Sequence, residues 1–198
     1  MEFDMVHDIQ TAYRKLVTSM SRPGIITSIK EESNKLNIET GCFRSTDVLI
    51  LMLIDIETGF SIHGKNKESA EQIINQVTYA KSTDINEADF IIICEDVNEE
   101  EIKSIIEKAK TGTLNDPHSA ATIIIEVESL SNDKQLCLKG PGIKDEAFVK
   151  VDLKNSWIEA RNRKNAEFPL GVELIFTDRE NNLMCFPRTT RVNGKVSI

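Results

Sequence analysis

The chain has 198 residues, with 24 Lys and Arg against 32 Asp and Glu, for a net charge of −8. That balance excludes a protein that grips nucleic acid or an anionic membrane through overall charge, while leaving room for a local basic pocket for a phosphorylated small molecule. Hydrophobic residues at 40%, with only 9 Gly and 5 Pro, exclude disorder and fibrous repeats, and the length suits one domain over 1–198 that needs neither disulfide nor metal to fold.

Residues 6–20 read as an amphipathic helix, because Val6, Ile9, Tyr13, Leu16, Val17 and Met20 recur at spacings of three and four. Ser21-Arg22-Pro23-Gly24 stops it, since Pro23 lacks an N–H and disfavours helix at the residue before it. Gly24 to Ile29 reads as a strand, 34–41 as a polar connection, and Thr46 to Ile54 as a buried helix. A short strand follows at 60–63. Asn66 is then expected to cap a helix whose apolar face holds Ala70, Ile73, Ile74 and Val77.

Ala88 to Cys94 reads as a buried strand. Asn98 with Glu101 forms a capping pair for a helix that buries Ile102, Ile105, Ile106 and Ala109 and ends at Thr111-Gly112. Strands are expected at 121–127 and 135–139, a turn at Gly140-Pro141-Gly142, and a helix over 153–164 carrying Leu153, Trp157 and Ile158. Val172 to Thr177 and Leu183 to Phe186 read as a hairpin around 179–182. Interleaved strands and helices with a late hairpin predict a layered α/β domain with a mixed sheet.

Cys42, Cys94, Cys137 and Cys185 form no CxxC pair, and the last three sit in apolar runs as small hydrophobes, which fits a reducing compartment. The amino terminus shows no secretory pattern and the longest apolar run is too short to span a bilayer, so a cytoplasmic protein is expected.

Residues 59–66 fit GxxxxGK, but Asn66 stands where a phosphate-cradling loop needs Ser or Thr, and the intervening residues read as a strand. His7, His63 and His118 are too scattered for a zinc site, and no GxSxG is present. Three stretches are richer than turns require: Arg22-Pro23-Gly24, Gly140-Pro141-Gly142 and Arg188-Thr189-Thr190. Arginines beside hydroxyls suit carboxylate or phosphate, while ordinary surface turns and salt bridges are the plainer reading.

In order along the chain, Tyr13-Arg14-Lys15-Leu16 through Arg22-Pro23-Gly24, Leu136 to Ile143, Phe168-Pro169-Leu170-Gly171-Val172-Glu173-Leu174-Ile175-Phe176 and Pro187-Arg188-Thr189-Thr190 resemble the PhnH family, the H subunits of the bacterial carbon–phosphorus lyase complex. The resemblance implies a mixed sheet between helical layers, like the large domain of pyridoxal-phosphate-dependent transferases but without that cofactor or its lysine. It implies a homodimer in isolation that packs beside the G, I and J subunits. With the G, I and L proteins, such a subunit serves the displacement of adenine from ATP by a phosphonate, the chemistry residing mainly on the I subunit. The three turns then become binding or interface candidates, with no catalytic or metal residue assigned. The alternative is a stand-alone enzyme or binding protein using Arg22, Arg188 and the Gly140 turn as an anion pocket for a phosphorylated or phosphonate small molecule.

Overall fold

The computed structural model describes residues 3–194; Met1 and Glu2, where the amino-terminal reading begins, and residues 195–198 lie outside the described residues. The first layer is helical. α1 (His7–Ser21) is capped by Asp4, whose Oδ1 accepts the N–H groups of Val6 and His7 at 2.8 Å. A two-residue strand β1 (Thr27–Ser28) leads into α2 (Lys30–Lys35) and α3 (Arg44–Leu53). β2 (Gly59–His63), α4 (Lys67–Thr78), β3 (Lys81–Ser82), β4 (Phe90–Ile93), α5 (Glu99–Lys108) and β5 (Thr122–Val127) alternate through the middle of the chain. β6 (Leu130–Lys139), β7 (Ala147–Val151), α6 (Ser156–Lys164), β8 (Glu173–Asp178), β9 (Asn182–Phe186) and β10 (Arg191–Gly194) complete it.

The result is an α/β fold with six helices, a mixed seven-stranded sheet ordered β1-β9-β8-β5-β4-β2-β3, and a small antiparallel sheet ordered β10-β6-β7. β2, β3, β4, β5 and β8 run parallel; at one edge β9 pairs antiparallel with β8, and β1 pairs antiparallel with β9 and so runs with the main strands. The central strands are apolar on both faces, as a covered parallel sheet requires. Ile91, Ile93, Ile123, Ile125, Leu174 and Phe176 face α5, α6 and the small sheet, whereas Ile92, Ile124 and Ile175 face the layer that holds α1, α3 and α4. The expected pair of helical layers is therefore modified: one layer is helical, and the other combines two helices with three strands.

Differences from the expected elements have local causes. α1 forms where predicted but is turned about its axis. It buries Asp8, Ala12, Leu16 and Ser19, leaving Val6 70%, Tyr13 51% and Val17 45% exposed. Polar ties set that rotation: Ser19 Oγ donates to the Ile25 carbonyl and accepts the Cys185 N–H, while Asp8 pairs with Lys35 at 2.7 Å. The strand expected over 24–29 shrinks to β1, and α2 replaces part of the polar connection. Asn66 precedes α4 without a side-chain capping bond, whereas Asn98 caps α5 through Glu101 N–H at 3.0 Å as expected. The hairpin of β8 and β9 forms with Thr177 opposite Leu183. Its apolar residues are consumed by the core; exposed apolar side chains stand along α1 at Tyr13 and Val17 and also at Ile56, Tyr79, Leu114 and Phe168.

Candidate functional site

The three turns singled out in the sequence come together although the first lies more than a hundred residues from the other two. Gly142 has φ of +82°, and a Cβ there would stand 2.2 Å from the Ser21 carbonyl oxygen and 3.1 Å from Pro23 Cδ. Gly140, on the other side of the same turn, would place a Cβ 2.9 Å from the Thr189 carbonyl oxygen. The Gly140–Gly142 turn is thus wedged between the turn after α1 and the turn after β9. Pro23 and Gly24 are buried, the Gly24 carbonyl accepts Asn132 Nδ2 at 2.9 Å, and Arg22 is exposed.

Beside this wedge, α6 and the turn after β9 enclose a cavity of about 630 Å³. Pro141, Arg188, Thr189 and Thr190 line it; Arg22, Pro23, Gly24, Gly140 and Gly142 do not. Arg188 does not project outward from its strand end. Its Nε donates to Glu173 Oε1 at 3.1 Å and its Nη1 to the carbonyls of Pro117 at 2.6 Å and Pro169 at 3.2 Å. It therefore ties β8, the 3-10 turn at Pro117–Ser119 and the Phe168–Leu170 loop to the turn after β9.

Arg161 escaped the sequence reading. It is 1% exposed and donates to the Thr190 carbonyl at 2.9 Å and the Pro187 carbonyl at 2.6 Å. Burial pushes the guanidinium down to about 10, still protonated at neutral pH. The signal was present: Arg161 follows Trp157 by four residues and Ile158 by three, placing it on the buried face of α6. Arg191 also lines the cavity.

A second polar cluster sits at the carboxyl ends of the parallel strands. The crossover through α4 lies on one face and that through α5 on the other, so the crevice between β2 and β4 is the topological switch point of the sheet. A cleft of about 300 Å³ opens there beside Lys65, Cys94, Asp96 and Glu126. Glu126, buried within an isoleucine strand, accepts the N–H groups of Phe43 and Glu95, and burial raises its carboxyl. Asp47 bonds Thr40 Oγ1 at 2.5 Å and is pushed up to about 7, mainly by burial. Cys42 Sγ lies 3.7 Å from Cys94 Sγ, and that contact together with burial pushes the Cys42 thiol upward. A thiol kept protonated, as that of Cys42 is, makes a poor nucleophile, and both carboxyls are engaged in holding loops.

The remaining sequence candidates resolve simply. Gly59–His63 is a strand paired with β4, so its backbone does not curl around a phosphate. His63 Nε2 lies 3.0 Å from Ser61 Oγ, and desolvation lowers its affinity for a proton. Among the described residues no cluster of three His, Cys, Asp or Glu could hold a metal ion. Lys139 pairs with Glu146 at 2.6 Å, which raises it, the opposite of the lowered lysine needed for imine chemistry. No described helix is long and apolar enough to cross a membrane.

Fold and site together define an α/β protein with one arginine-lined cavity beside three mutually packed turns. Comparison with known proteins narrows this. The model of the family described as bacterial phosphonate metabolism protein (PhnH) matches residues 2–193, and the chain belongs to that family. It is 27% identical over 191 residues to the alpha-D-ribose 1-methylphosphonate 5-triphosphate synthase subunit PhnH of Rhizobium meliloti (strain 1021), covering 96% of this chain and 92% of that one. It is 26% identical over 189 residues to HtxG of Stutzerimonas stutzeri, a predicted C-P lyase subunit protein, covering 94% and 86%.

Proposed function

We propose that the chain is a non-catalytic H-type subunit of a carbon–phosphorus lyase assembly, serving the transfer of the ribose triphosphate moiety of ATP to an alkylphosphonate such as methylphosphonate. The observation that carries this reading is the family match along residues 2–193, with a relative that is itself named as a synthase subunit. Two structural features support it. Gly140, Gly142 and Arg188, from the turns of the family resemblance, are committed to intrachain packing instead of an array of acid, base and nucleophile. An apolar stripe on α1, formed by Val6, Tyr13 and Val17, stands exposed and suits burial against another chain. In this reading the chain pairs with itself when alone and meets the G, I and J subunits in the complex, and its frame resembles the large domain of pyridoxal-phosphate-dependent transferases without using the cofactor.

The test is co-expression of a tagged chain with the G, I and J subunits, and complementation of a strain lacking its H subunit on methylphosphonate as phosphorus source. Co-purification and restored growth are expected. Turnover of ATP and methylphosphonate by the purified chain alone would overturn the assignment as non-catalytic.

A further inference from the structure

The cavity between α6 and the turn after β9 concentrates positive charge in a chain whose net charge is −8. Arg161, Arg188 and Arg191 line it, and no Asp or Glu among the described residues does. Arg188 is neutralised from outside the lining by Glu173 at 3.1 Å. Arg161 is held by neutral carbonyl oxygens, which orient a guanidinium without cancelling its charge. Its Nε and the hydroxyl of Thr190 are both buried without a hydrogen-bond partner. Glu173 acts on Arg161 through space but makes its ion pair with Arg188, so part of the charge of the buried Arg161 guanidinium is felt in the adjoining space.

The mouth of the cavity adds groups that can reach a ligand. Arg191 and Thr189 are exposed and supply charged and hydroxyl donors. Phe168, 76% exposed, and Leu170 form an apolar side of the same space. A volume of about 630 Å³ exceeds the needs of a single phosphate and falls within the range of sites for nucleotide-sized molecules.

We propose that this cavity binds a small molecule bearing a di- or triphosphate group, with Arg191 and Thr189 touching the phosphate oxygens and the organic part lying against Phe168 and Leu170. Arg161 acts as a positioning residue: it fixes the Pro187–Thr190 turn and contributes charge through the wall. The site does not depend on the assembly proposed above and can be tested on the isolated chain.

Calorimetric titration of the purified chain with sodium tripolyphosphate, ATP, adenosine and citrate, at matched ionic strength, reads the proposal directly. Tripolyphosphate and ATP are expected to bind, ATP more tightly, with affinity falling as NaCl is raised. Adenosine, which carries no anion, and citrate, whose carboxylates can pair with a guanidinium but which carries less negative charge than tripolyphosphate, should be at least about tenfold weaker. Arg191→Glu should weaken tripolyphosphate at least about tenfold while leaving the thermal midpoint unchanged, since its side chain is on the surface. Phe168→Ala should weaken ATP and leave tripolyphosphate unaltered. Absence of tripolyphosphate binding, equal binding of citrate, or full binding by Arg191→Glu would each overturn the site. Were no probe to bind and Arg191→Glu to lose co-purification with the partner subunits, the cavity would belong to a subunit contact and the ligand site would be refuted.

Discussion

The Gly142 turn accepts neither a side chain nor a neighbour that moves, because the contact is with the Ser21 backbone and φ is +82°. Gly142→Ala is expected to destabilise the protein by more than about 2 kcal/mol, read as a fall in thermal midpoint, while the exposed Pro141→Ala changes it little. Arg188 is expected to behave as a structural clamp. Arg188→Ala leaves Glu173 and the carbonyls of Pro117 and Pro169 unpaired and should cost about 3–5 kcal/mol in urea unfolding; Arg188→Lys, lacking the planar fork, should recover only part of it. At Asp47 the prediction is a pH dependence. The unfolded carboxyl ionises near its ordinary 3.8, whereas the buried one holds its proton up to about 7. The folded state therefore binds more protons between these values, so this group's contribution to stability falls as pH rises from about 4 to about 7 and then levels off. Ionising it in place opposes folding by on the order of 4 kcal/mol. Asp47→Asn should flatten the decline in thermal midpoint between pH 5 and 8; an unchanged slope would show that Asp47 is not its source.

α1 carries the clearest division between what its sequence pattern says and what packing decides. Its period is helical, and the helix forms, but the strongest apolar stripe and the buried face differ by about a quarter turn. The pattern reports hydrophobicity, not which partner covers it, and polar ties through Ser19 and Asp8 fix the rotation. Tyr13→Glu with Val17→Glu should accordingly preserve circular dichroism and thermal midpoint yet lose self-association and co-purification with the other subunits. Unchanged assembly would remove α1 from the interface. Elsewhere the central strands were legible because runs such as Ile123-Ile124-Ile125 are apolar on both faces, and α5 because Asn98 and Glu101 mark its start. β3, β7 and β10 were not, because short or peripheral strands are defined by the neighbour they pair with. The candidate turns were visible as residue types, but their convergence was not, since nothing local links Ser21 to Gly142 or Gly140 to Thr189. Arg161 was readable from helical spacing alone.

Across the molecule, the two cores share the strands of one sheet, Ile91 belonging to one and Ile92 to the other. We propose that residues 1–198 form one cooperative unit. Fluorescence of Trp157, which packs with Phe176 and Phe186 in one core, and far-ultraviolet dichroism from all helices should then give coincident urea transitions. Separate midpoints would divide the chain into two folding units. The long reach of the sheet also has a temporal side. β1 pairs with β9, and the Cys185 N–H donates to Ser19 across 166 residues. A ribosome adding about 5–20 residues per second needs roughly ten to thirty seconds between making these two halves of one contact. For that interval the nascent amino-terminal helix lacks β9, the strand it chiefly packs on, and both its eventual inner face and its apolar stripe are open to chaperones or to neighbouring chains. The segment made first is among the last to find its place.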